Sequence, residues 1–106
     1  MEKTIIIDGK EVPFKSNGAI PFRYKQQFGK DFFAEIAKMS AGNKEFTMEN
    51  VDLEVFYNLA WTFCKTADKT IPAPMEWLET FDTFPIFDIM PEIQDMLLAT
   101  MQTKKK

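Results

Sequence analysis

Thr4 to Ile7 is a β-branched run that ends at Asp8-Gly9, and Glu11-Val12-Pro13-Phe14-Lys15 follows as a second short extended stretch. Two such stretches on either side of an Asp-Gly dipeptide predict a β-hairpin over residues 3–15. Pro13 has no amide to donate, so the second strand should lie at a sheet edge or break there. A lone hairpin is marginal in water, which requires its apolar residues to pack on helices.

The period changes after Ser16. Ser16-Asn17-Gly18 is turn chemistry, Pro21 suits a first helical turn, and Phe22 to Phe28 reads as a short helix that Gly29 can end. Asp31 suits the cap of a second helix, with Phe32, Phe33, Ile36, Ala37 and Met39 as its apolar stripe and residues 40–43 as its end. From about Asp52 to Ala67 the residues Leu53, Val55, Phe56, Tyr57, Leu59, Ala60, Trp61, Phe63 and Cys64 leave almost no polar face. A helix apolar all round is buried or touched on both sides, so this one is expected at the centre.

Pro72 and Pro74 make 69–74 a connection, and Pro74 can open a short helix from Met75 to Phe81 with Trp77, Leu78 and Phe81 on one side. Phe84-Pro85-Ile86-Phe87 forms an aromatic junction. Beyond it Ile86, Ile89, Met90, Ile93, Met96, Leu97 and Met101 recur at helical spacing, with Pro91 either in the first turn of that helix or kinking it. The expected fold is mainly α (α+β), a small N-terminal β-hairpin packed on about five helices. It forms a single domain over 1–103 whose helical part spans 19–102, followed by a basic tail at 104–106.

Composition narrows what such a fold could do. The 106 residues are 45% hydrophobic and 14% aromatic, which suits one domain with its own core rather than a disordered chain. No apolar run approaches the roughly 20 residues of a membrane span, and the N-terminus lacks a signal-peptide core. With no histidine there is no imidazole base, nucleophile partner or metal ligand, and the lone Cys64 has no internal disulfide partner. Cys64 reads as a small core residue. No cofactor motif is present, because the four glycines are isolated rather than grouped as a phosphate loop. Glu92 and Asp95 share a helix face without the second pair that a carboxylate-held metal needs. No spacing marks two carboxylates for acid–base catalysis. The chain is therefore expected not to be an enzyme.

Charge is uneven. Residues 1–50 carry eight bases and seven acids, whereas 51–103 carry Lys65 and Lys69 against nine acids before the closing Lys104-Lys105-Lys106. That half would repel a phosphate backbone and attract a basic partner surface, or serve as a solvated face that keeps the domain soluble. Eleven Phe, two Trp, two Tyr and seven Met exceed the needs of a small core, and these are residue types enriched at protein interfaces. Met90, Met96 and Met101 read either as core filling or as contacts, and an adaptor, a chaperone or a self-assembling component fits the balance.

Phe22-Arg23-Tyr24-Lys25-Gln26-Gln27-Phe28-Gly29-Lys30-Asp31, Leu59-Ala60-Trp61 and Pro74-Met75-Glu76-Trp77-Leu78-Glu79-Thr80-Phe81 together resemble segments of the tail assembly chaperones of long-tailed phages and prophages of Gram-positive bacteria. The order of elements is similar too, over about residues 1–100, with Lys25 where the family frequently has arginine. The resemblance implies a non-enzymatic function in the host bacterial cytoplasm. Such a protein coats the tape measure protein, recruits tail tube protein subunits, can self-associate, and leaves before the virion is complete. With the composition and charge above, no cofactor, no nucleic acid and no membrane are expected. Arg23, Tyr24, Phe28, Gly29 and Asp31 match the first motif, with Gly29 breaking the helix, Asp31 capping the next and Phe28 packing. Trp61 and Trp77 are expected as core or inter-subunit anchors, and Phe84, Phe87, Met90, Met96 and Met101 as partner contacts. The Lys triplet fits either a slippery A-rich run at a ribosomal frameshift or a solvated basic tail. A structural component retained in the particle, such as a minor tail or head–tail joining protein, is the alternative.

Overall fold

The computed structural model describes residues 1–40 and 53–101, with the side chains of residues 38–40 and 101 outside that description. Strand β1 (Glu2–Ile7) pairs antiparallel with β2 (Lys10–Lys15), with Ile7 opposite Lys10 and Glu2 opposite Lys15. Asp8 and Gly9 both have positive φ, 55° and 75°, the backbone of the tight turn whose twist matches paired strands. Beyond the strands Met1 and Ser16 exchange backbone bonds, Met1 N to Ser16 O at 3.1 Å and Ser16 N to Met1 O at 2.8 Å. Such exchanging pairs alternate along an antiparallel ladder, so Thr4 and Pro13 face each other between them. The donor that Pro13 lacks would point away from β1, and the ladder loses nothing. Ile5, Ile7, Val12 and Phe14 turn inward and are buried, while Thr4, Ile6, Glu11 and Pro13 are exposed.

The helices are α1 (Ile20–Phe28), α2 (Phe32–Ser40), α3 (Leu53–Ala67), α4 (Pro74–Leu78) and α5 (Ile86–Met101). Nine of the fifteen α3 residues are buried, and α3 touches β2, α1, α4 and α5. It is the central helix that its all-round apolar pattern requires. Tyr24, Phe32, Phe56, Phe63, Ile89, Ile93 and the inner face of the hairpin close one core around it.

One boundary and one face depart from expectation, and one open choice is settled. Helix α4 ends at Leu78 rather than Phe81, because Thr80 N and Thr80 Oγ1 both donate to Trp77 O, at 3.0 and 2.6 Å, and pull the chain into a turn. Of the two places open to Pro91, it takes the interior of α5 and not the first turn, on the exposed side with Phe87. The α2 stripe is narrower than read, with Phe32 and Ile36 buried but Phe33 and Ala37 exposed. Met39 as a stripe residue, residues 41–43 as the end of α2, Asp52 as the start of α3 and the tail at 104–106 lie outside the described residues.

The hairpin is tied to the second half of the chain at both ends. Lys3 Nζ reaches Glu92 at 2.7 Å and Asp95 at 3.9 Å on α5. Ser16 Oγ bonds Thr100 Oγ1, which itself donates to Met96 O. At the turn end Lys10 Nζ donates to Thr80 O at 2.6 Å, and Asp82 N donates to Asp8 Oδ2 at 2.9 Å. The two acids whose spacing raised metal binding thus hold a lysine. Among the described residues no group of three or more His, Cys, Asp or Glu is placed to hold a metal ion.

Candidate functional site

The first motif builds the junction of α1, α2 and α3. Gly29 takes the left-handed conformation at φ 72° and its amide donates to Lys25 O at 2.8 Å, which ends α1. Two residues on, Asp31 Oδ2 accepts from Ala34 N at 2.9 Å and caps α2. This break folds Phe32 back onto Tyr24, with ring centroids 5.8 Å apart, while Phe28 meets Tyr24 at 4.9 Å and the edge of Trp61 at 5.8 Å. Tyr24 and Phe32 are fully buried and Trp61 nearly so, its indole donating to Pro72 O at 2.9 Å. Tyr24 also donates to Glu35, a buried acid in the first turn of α2 that the sequence reading did not single out.

Arg23, the single arginine of the chain, follows a different course. Arg23, Gln26 and Gln27 on α1, at i, i+3 and i+4, face Trp61 and Lys65 on α3 and line an open hollow of about 370 Å³. The Arg23 Nε–H is buried and has no hydrogen-bond partner among the described residues. Lys65 Nζ donates to Lys69 O and Ile71 O at 2.8 and 2.7 Å. Asp68, beside Lys65, accepts at Oδ1 from the Thr70 hydroxyl and amide, which with the Lys65 charge hold its carboxyl below the usual range. Sequence reading gave Arg23 no chemical role and missed the groove, although R-x-x-Q-Q beside W-x-x-x-K was there to be seen.

The second region surrounds the α4–α5 junction. Trp77 is buried and meets Phe81 at 5.3 Å and Phe84 at 5.5 Å, and Phe84 stacks against Tyr57 of α3 at 5.5 Å. Lys10 lies over Phe81, 5.1 Å from its centroid. Of the expected partner contacts, Phe84 and Met90 are half-buried against the core and Phe87 is 48% exposed. Met96 is corrected: it is fully buried on the α5 face that carries Ile89 and Ile93, and no partner can touch it without opening the core. The Met101 side chain lies outside the described residues. Leu98, which the sequence reading passed over, is 63% exposed and shares the outer side of α5 with Phe87 and Pro91. Asp88 and Asp95 are also exposed along that helix, and no base occurs between residues 70 and 103.

Cys64 is 1% exposed in α3, and burial, reinforced by the charge of Asp68, pushes its thiol well above the ordinary range. A thiol so placed is neither a nucleophile nor a ready metal ligand. A second open hollow, of about 320 Å³, is lined by Glu2, Lys3, Thr4, Pro13, Phe14, Lys15 and Ala67. No helix among the described residues is long and apolar enough to cross a membrane. Comparison with protein-family models, curated proteins and solved structures found no match.

Proposed function

We propose that this chain is a phage tail assembly chaperone, a binding protein that holds the tape measure protein and recruits tail tube subunits in the host cytoplasm, and that is absent from the finished virion. The observation that carries the reading is the outer side of α5. Phe87 and Leu98 stand 48% and 63% exposed with Pro91 between them, while Ile89, Ile93 and Met96 on the other side hold the helix to the core. A helix apolar on two sides has one side for its own fold and one for a partner.

An amphipathic partner helix laid along this stripe would bury its apolar anchors on Phe87 and Leu98. Asp88 and Asp95 would meet bases on that helix and keep the complex soluble. A long, helical, aggregation-prone protein such as the tape measure protein is the kind of partner that needs such cover. The test is co-expression with a phage tape measure protein. The expected result is a higher soluble yield of that protein and its co-purification with this chain. No gain in solubility and no co-purification would overturn the reading, as would stoichiometric presence of this chain in purified particles.

A further inference from the structure

We propose that the hollow between α1 and α3 is a carboxylate-binding site, with Arg23 as its principal ligand and Gln26, Gln27 and Lys65 as supporting donors. Arg23 is the only guanidinium in the chain, and its buried Nε–H has no partner among the described residues. Buried donors are almost always satisfied, and the arginine whose Nε–H is not lines the hollow between α1 and α3. Among the described residues no carboxylate pairs with Arg23, although Lys3 and Lys15 have both found one.

The donor set fits one carboxylate. The two Nη groups at the end of a guanidinium present parallel N–H bonds that take both oxygens of a carboxylate at once. That leaves about two lone-pair sites on the ligand, which the exposed Gln26 and Gln27 amides can serve from the same wall. An ammonium has three N–H donors, and Lys65 has used two of them on Lys69 O and Ile71 O, so its charge is fixed in place with one donor left. The competing carboxylate beside it, Asp68, is committed to Thr70. Helix α1 itself carries no acid. A polyphosphate chain would bring its charge against the acidic second half of the molecule, whereas a single acidic side chain or chain terminus brings one charge to one site. The proposal stands on the α1–α3 groove alone and does not depend on what binds α5.

Because the chain has one arginine, the Arg23 Nε–H gives a single side-chain resonance, and ¹⁵N NMR of the full chain reads the site directly. Titration with a hexaglutamate peptide is expected to shift that resonance saturably, and at lower concentration than inorganic phosphate at equal ionic strength. Arg23→Lys keeps the charge but loses the fork, and is expected to weaken the peptide by about tenfold or more, read from the Trp61 indole resonance. No saturable shift in the unmodified chain would overturn the proposal, whatever the variant does to folding. So would phosphate binding as well as the peptide, or Arg23→Lys binding as tightly as the parent. Dilution of the probe-free protein separates the sources of the carboxylate. A resonance that moves on dilution assigns it to a second copy of this chain, and one that moves only on adding peptide assigns it to a different protein.

Discussion

The aromatic cluster between α1, α2 and α3 and the one between α3, α4 and α5 use the same residue types and are closed to different degrees. In the first, Tyr24, Phe32 and Trp61 are 0%, 1% and 3% exposed, each with a ring or a hydrogen bond on its open sides. In the second only Trp77 is buried, and Tyr57, Phe81 and Phe84 remain half-exposed around it. Backbone chemistry explains the contrast. Gly29 and the Asp31 cap turn the chain sharply enough to fold one helix onto its neighbour. The stretch after α4 is held by single bonds to the hairpin turn, through Lys10 and Asp8, which fix its place without covering its rings. Closure suits a structural role, and half-closure leaves apolar surface next to the exposed stripe of α5.

The largest consequence should appear in stability. Trp61→Ala removes a ring packed on Phe28 together with its bond to Pro72, and is expected to cost about 3–5 kcal/mol in urea unfolding. Phe84→Ala, taken from a site that is already half in water, is expected to cost about 1–2 kcal/mol. Equal losses would break the comparison and make the second cluster as much a part of the core as the first.

Smaller per step, and set by the central helix, is a dependence on alkaline pH. The Cys64 thiol is held above its ordinary value of 9.0 by burial first and Asp68 second. Below pH 9 both folded and unfolded chains keep the thiol proton, so Cys64 adds no slope. Above it the unfolded chain loses the proton and the folded chain retains it, so stability falls as pH rises, by up to about 1.4 kcal/mol per unit. Cys64→Ala should lack this slope between pH 9 and 10.5, whatever its stability at neutral pH. A parent protein whose melting temperature tracks the variant's across that interval would show that α3 opens to water on this side.

What the chain disclosed before folding was local chemistry. Asp8-Gly9, Gly29, Asp31 and the all-round apolar run of α3 each act within a few residues, and each was read correctly from that span alone. Distant contacts were not legible. Glu92 and Asp95 looked like a free pair until Lys3, nearly ninety residues earlier, proved to sit between them. The contact of Glu35 with Tyr24 had no signal in the sequence, and the choice of core or contact for Met96 stayed open because a helical period fixes which residues share a face but not which face turns inward. The resemblance of residues 22–31 marked Arg23 as a family position. Only the crossing of α1 over α3 set it beside Lys65 with its Nε–H unmet.

The smallest effect on stability is expected where the effect on binding is greatest. Phe87 and Leu98 are 48% and 63% exposed and stand outside the core cluster, so replacing both with Ser should change the unfolding free energy by less than Phe84→Ala does, by no more than about 1 kcal/mol. The same double variant takes away the apolar stripe of α5 while leaving Asp88 and Asp95 in place, and it should lose the soluble co-expressed tape measure protein. Paired with Phe84→Ala, it divides the second region into a part that folds the chain and a part that serves a partner. A double variant that unfolds like Phe84→Ala would mean that the stripe belongs to the fold. One that keeps both its stability and its hold on the partner would mean that binding lies on another face, and the acidic charge of α5 would then be the feature to vary, beginning with Asp88 and Asp95.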